Sequence, residues 1–161
     1  MRARLGTVLV VVFLAACLNA CQSGPGLDEV GPQFEQDATT VFDYLADQYS
    51  ADPEANEVVN DGSEDIPCDD GARREFEATF PMMDGEPDSN LDLFANGVFA
   101  SFNVNDPDYY TISEVGTPDD LGSERTFRAT NDDETISFEV RAAGEPGSEV
   151  VVTGETTCAS T

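Results

Sequence analysis

Between Tyr109 and Cys158 the chain runs through a series of short segments in which apolar and polar positions alternate, separated by polar turns. That is the signature of consecutive antiparallel strands. In Thr135–Arg141, the residues Ile136, Phe138 and Val140 share one face, and Thr135, Ser137, Glu139 and Arg141 share the other. A period of two marks a strand with one face on a core and one face in water. Downstream, Val150, Val152, Thr156 and Cys158 share one parity, which is expected to point the Cys158 thiol toward the core valines. Tyr109–Val115 and Arg125–Thr130 read as two earlier strands, and Thr130–Glu134 as a polar turn. Farther upstream Arg73–Phe80 alternates as a single strand, with Phe76, Ala78 and Phe80 inward and Glu75, Glu77 and Thr79 outward.

The period changes in two places. Over Pro32–Ser50, Phe34, Ala38, Val41, Phe42, Leu45 and Tyr49 fall on one helical stripe. Pro32 suits the first turn of that helix, and Asp52-Pro53 ends it. Ser89–Asn103 carries two patterns at once. Leu91, Phe94, Ala95, Val98 and Phe102 make a helical stripe behind a Ser89/Asp92 capping box. Asn96-Gly97 and the alternation of Val98, Ala100, Phe102 and Val104 make a hairpin. The helix is the reading adopted, although Gly97 inside it costs about 1 kcal/mol. Between the first helix and the first strand, Ala51–Asp70 is acidic, with only Val58, Val59 and Ile66 as larger apolar residues. A loop of that length is often functional, so Asp61, Glu64 and Asp65 are candidate contact residues.

The start of the chain has a different character. Arg2 and Arg4 precede the apolar run Leu5–Ala16, which is too short to span a membrane as a stable helix. Residues 1–20 read as a targeting segment, residues 21–31 as a flexible tether opening on Gln22-Ser23-Gly24-Pro25-Gly26, and residues 32–161 as one domain. Export would permit disulfides. Of the four cysteines, Cys68 and Cys158 are expected to bond: Cys158 follows the inward parity of its strand, and Cys68 precedes a strand that could lie beside it.

Charge narrows the partners. The chain of 161 residues has 33 acidic residues against seven Arg, with no Lys and no His, for a net charge of −26. Such a surface repels nucleic acid and attracts cations and basic proteins. Without His, the commonest general base and metal ligand near neutral pH is missing. The cysteines lack zinc spacing, and there is no glycine-rich phosphate loop. Asp69-Asp70, Asp119-Asp120 and Asp132-Asp133 fall in expected turns and read as solvated carboxylates. Asp61–Asp65 and Asn103–Asp108 are rich enough in oxygen to suggest weak calcium binding, though neither has EF-hand spacing. Arg73-Arg74 is an isolated basic pair, expected to meet nearby acids or an anion. Tyr109-Tyr110 puts one ring outward. No catalytic residue, cofactor or metal ligand is assigned.

The segment Leu14-Ala15-Ala16-Cys17 resembles the lipobox of bacterial lipoproteins, in which the cysteine becomes the lipidated first residue. Leu18-Asn19-Ala20-Cys21 is the alternative. Cysteine parity favours Cys21, because lipidation there leaves Cys68 and Cys158 as a pair; the motif favours Cys17 and is given more weight. With the tether, one amphipathic helix, and a last strand ending in Gly154-Glu155-Thr156-Thr157-Cys158, the layout resembles small secreted lipoproteins of actinobacteria and other high-GC bacteria. The resemblance implies a two-layer α+β domain, with one or two helices packed on a mainly antiparallel sheet and closed by the disulfide. The combined expectation is a non-catalytic envelope lipoprotein, held to a membrane by lipid, that binds a basic envelope protein through its acidic surface. The alternative is a small-ligand or calcium-binding lipoprotein.

Overall fold

A computed structural model describes residues 25–69, 71–104, 108–115 and 124–160. The targeting segment with Cys17 and Cys21, together with Asp70 and Asp119-Asp120, lies outside the described residues, as does part of Asn103–Asp108. Helix α1 spans Leu27–Tyr49 and is followed by a single 3-10 turn at Pro53–Ala55. Strands β1 (Glu57–Asp61), β2 (Ile66–Cys68), β3 (Gly71–Arg73) and β4 (Glu75–Pro81) lead into helix α2 (Pro87–Phe102). The chain closes with β5 (Tyr110–Val115), β6 (Glu124–Asn131), β7 (Ile136–Ala143) and β8 (Glu149–Thr156). Six strands form one antiparallel sheet in the order β1-β4-β8-β7-β6-β5, and β2-β3 is a separate pair. Both helices lie on one face of the large sheet, giving the two-layer α+β arrangement. Among the described residues no helix is long and apolar enough to cross a membrane.

The α1 stripe is buried as its spacing requires: Phe34, Ala38, Val41, Phe42 and Leu45 are in the core. The helix nevertheless begins at Leu27 and not at Pro32, so the tether expected over 21–31 ends earlier. The reason is tertiary. The Leu27 N–H donates to the Ser160 carbonyl at 3.1 Å, satisfying a first-turn donor from the far end of the chain. Leu27 and Val30 are buried, and Asp28 and Glu29 complement the positive end of the helix. Pro32 is carried inside the helix.

The 89–103 stretch is helical through Phe102, and the hairpin signal at Asn96-Gly97 is overruled. A Cβ on Gly97 would collide with the Tyr49 ring, so the glycine is where α2 admits α1 closely. Tyr49 completes the contact by donating its hydroxyl to the Leu93 carbonyl at 3.0 Å. The Ser89/Asp92 capping box does not form: the N-cap is Glu86, without a side-chain cap, and Pro87 takes the first helical position.

Arg73–Phe80 is two strands rather than one. At Arg74 the backbone leaves β3, donating its N–H to the Thr156 hydroxyl and accepting from the Thr156 N–H, both at 3.0 Å. The inward set on β4 is as the alternation requires, with Phe76, Ala78 and Phe80 buried. The acidic stretch 51–69 is also structured. It holds the 3-10 turn, β1 and β2, with β1 paired to β4 across an irregularity between Val58 and Asn60. Val58 and Val59 stay exposed on this edge strand.

Cys68 and Cys158 form a disulfide, with their Cα atoms 6.1 Å apart. Cys158 is not turned into the core as its parity suggested. Strand β8 ends at Thr156, so alternation no longer fixes the direction of Cys158, which is exposed. The bond therefore fastens the β2-β3 pair to the C-terminal tail at the surface, beside the Ala72–Ala159 bridge.

Candidate functional site

The three acidic residues singled out in the 51–70 stretch do not converge. Asp61 closes a turn on Ser63: hydrogen bonds from the Ser63 hydroxyl and then its N–H (3.0 Å) hold the carboxyl below the usual range. Asp65 faces the Arg74 guanidinium at 3.0 Å, which Glu35 also approaches at 3.4 Å. Glu64 is exposed. Arg73 is held in the same way by Glu75 and Glu155, so both members of the basic pair are engaged by acids. Among the described residues no three His, Cys, Asp or Glu side chains are grouped as a metal site.

Two other features bring side chains together. The first is the open face of the sheet, where side chains opposite the helices line a trough of 520 Å³. Antiparallel pairing sets Glu75 beside Glu155, Glu77 beside Thr153, and Thr153 beside Glu139. Arg128 meets Glu139 at 3.0 Å and Arg141 meets it at 3.7 Å. Glu77 is exposed and has no cationic partner among the described residues. The face is thus hydroxyl-rich and acidic, and its arginines are already paired.

The second is a cleft of 240 Å³ between the first half of α1, the end of α2 and the start of β5. Its lining includes Gln33, Asp37, Ser101, Phe102, Tyr109 and Tyr110. Asp37 is only 6% exposed. One carboxylate oxygen accepts from Gln33 Nε2 at 2.8 Å, and the other accepts from the Tyr110 hydroxyl at 2.8 Å. Burial first, and then the neighbouring Asp37 charge and its hydrogen bond, push the Tyr110 phenol far above its ordinary value of 10.0. Of the adjacent tyrosines, Tyr109 is the more exposed; it stands edge-on to Tyr110 with ring centroids 4.9 Å apart.

Neither Asp37 nor Asn131 stands out in the sequence reading. Asp37 had a signal: it lies three residues after Phe34 and four before Val41, so it interrupts the apolar stripe of α1 from within. Asn131 had none. Its buried side chain organises the β6-β7 turn, accepting from the N–H groups of Thr135 (2.8 Å) and Ile136 (2.9 Å) and donating to the Tyr109 hydroxyl (3.2 Å). Asp132-Asp133 lies exposed in that turn.

The raised phenol has a measurable consequence. Because the folded value of Tyr110 lies above the unfolded one, protonated Tyr110 favours the native state. That stabilisation is whole below pH 10.0 and is lost as pH climbs from there toward the folded value. In an alkaline titration followed by phenolate absorbance, Tyr110 should ionise only as the protein unfolds, and Tyr110→Phe should flatten the loss of stability above pH 10.0. Native protein in which all four tyrosines ionise together near pH 10.0 would contradict this.

No family model matches the chain, and the search of curated proteins and the search of solved structures each find no significant match.

Proposed function

We propose that the chain is a lipid-anchored, non-catalytic envelope protein that binds a basic protein partner through the open face of its sheet. The observation that carries this reading is the acidic trough. It is the broad face that no helix covers, and its unpaired charge is negative. A chain with a net charge of −26 and no Lys or His has little with which to hold an anion. It would attract a cationic partner over long range and repel nucleic acid. The reading shifts the contact from Asp61, Glu64 and Asp65 to the sheet, because those three side chains do not converge, whereas the trough gathers Glu75, Glu77, Glu139 and Glu155 on one face. The lipobox-like Leu14-Ala15-Ala16-Cys17 supplies the anchor in this proposal, with Cys21 as the alternative, and a diacyl group there provides the two chains that stable anchoring needs. The likeness to small lipoproteins of high-GC bacteria supports the same placement.

Binding of a fluorescent decalysine peptide tests the docking face. Affinity should fall steeply with added salt, because exposed charges are screened beyond about 8 Å at physiological ionic strength. Replacing Glu77, Glu139 and Glu155 together by glutamine should weaken binding by at least about tenfold, on the scale of close interfacial charge pairs. A matched loss of three charges on α1 (Glu29→Gln, Asp43→Asn, Asp47→Asn) should weaken it far less. Equal losses in the two triple variants would remove the sheet face from the proposal. Mass spectrometry of the mature N-terminus reads the anchor, and an unmodified residue other than cysteine there would refute it.

A further inference from the structure

The cleft at Asp37 raises a separate question, independent of the sheet face. Buried carboxylates are ordinarily paired with a cation, because an unpaired charge is costly away from water. Among the described residues Asp37 has only neutral donors, Gln33 and Tyr110, and none of those lining the cleft is basic. Its negative charge is therefore held in place but not balanced. An ionised carboxylate offers about four lone-pair sites, and two are in use.

The surroundings favour one class of counter-ion. Phe102, Tyr109 and Tyr110 bring aromatic rings to the cleft, and Val41 adds apolar wall. Aromatic faces attract organic cations, most strongly where water is excluded. A hard metal cation is a poor fit, since calcium takes six to eight oxygens and Asp37 is the only carboxylate among the described residues of the lining. An anion would meet that carboxylate directly. We propose that the cleft binds a small organic cation, an ammonium group on a compact apolar body. The ammonium donates to the free lone pairs of Asp37, and its carbon substituents lie against Tyr109 and Phe102.

Isothermal titration of the full-length chain at physiological salt, with benzylammonium and cyclohexylammonium as probes and benzyl alcohol as the neutral counterpart, tests this. At least one ammonium probe should bind, and the alcohol should bind at least about tenfold more weakly. Asp37→Asn keeps the size of the side chain. Its carbonyl can still accept from Tyr110, and a turned Gln33 amide can present its oxygen to the new NH2 group. That variant should lose at least about tenfold in ammonium affinity, while Asp43→Asn, the same charge change on the exposed side of α1, should lose almost none. If thermal melting shows that Asp37→Asn does not fold, Tyr109→Leu carries the test: it should weaken the ammonium probe several-fold and leave benzyl alcohol unchanged. The proposal is overturned if neither ammonium probe binds, if the alcohol binds as well, if Asp43→Asn loses as much as Asp37→Asn, or if Tyr109→Leu leaves the ammonium preference intact.

Discussion

Replacing Cys68 and Cys158 together by serine is expected to lower the free energy of unfolding by about 4–5 kcal/mol. The bond joins residues 90 apart in sequence, and the stabilisation from cross-linking grows with the loop it closes in the unfolded chain. Few other contacts duplicate it. The β2-β3 pair is only three residues on each strand, and the tail is tied to it by the single bridge between Ala72 and Ala159. Such short elements are marginal alone. In urea the unfolding midpoint should drop sharply, and added salt should recover part of the loss by screening the self-repulsion of the acidic surface. Amide exchange at Ala72 and Ala159 should quicken before the sheet itself opens. A shift worth less than about 1 kcal/mol, against the usual cost of losing a native disulfide, would mean the hairpin and tail hold without it.

Phe34→Ala should cost about 3–5 kcal/mol. Phe34 is fully buried and stacks on Phe138 with ring centroids 5.6 Å apart. Its ring also occupies room left by two glycines. A Cβ on Gly62 or Gly154 would come within 2.9 Å or 3.0 Å of the Phe34 ring. Gly62 has φ +80°, a conformation that L side chains rarely adopt, and Gly154 is paired across the sheet with Phe138. The walls of the resulting cavity are thus partly backbone, which relaxes less than side chains do. That puts the expected cost toward the upper part of the range. An unfolding midpoint that shifts by the equivalent of less than about 1.5 kcal/mol, well below the usual range for deleting a buried ring, would show that the site collapses around the missing ring.

How much of this was legible depends on where each signal resides. The α1 stripe and the alternation of β7 were readable because each repeats over several periods within one segment. The inward set of β4 was readable for the same reason. Signals that lie in another part of the chain were not. The start of α1 at Leu27 rests on the Ser160 carbonyl, and the break at Arg74 rests on Thr156. Strand β1 reads Glu-Val-Val-Asn-Asp, and its exposed valines give an edge strand no alternation to follow. Parity misplaced Cys158 because the rule holds only while the strand continues. Of the two site features, the acidic sheet face could be read from the outward residues of β4 and β7. The cleft could not, because Asp37 and Tyr110 meet only after α1 has docked beside β5.

The position of β8 bears on how the chain can be delivered. Strand β8 follows all the other strands of the sheet in sequence, yet it lies inside the sheet, between β4 and β7. Until Glu149–Thr156 has emerged, β1-β4 and β7-β6-β5 are two fragments with no shared ladder. Pairing across such sequence distance is intrinsically slow. A chain that emerges N-terminus first therefore cannot complete the six-stranded ladder until β8 has emerged. A stop codon just before Glu149 would remove the keystone of the sheet and leave its rims intact.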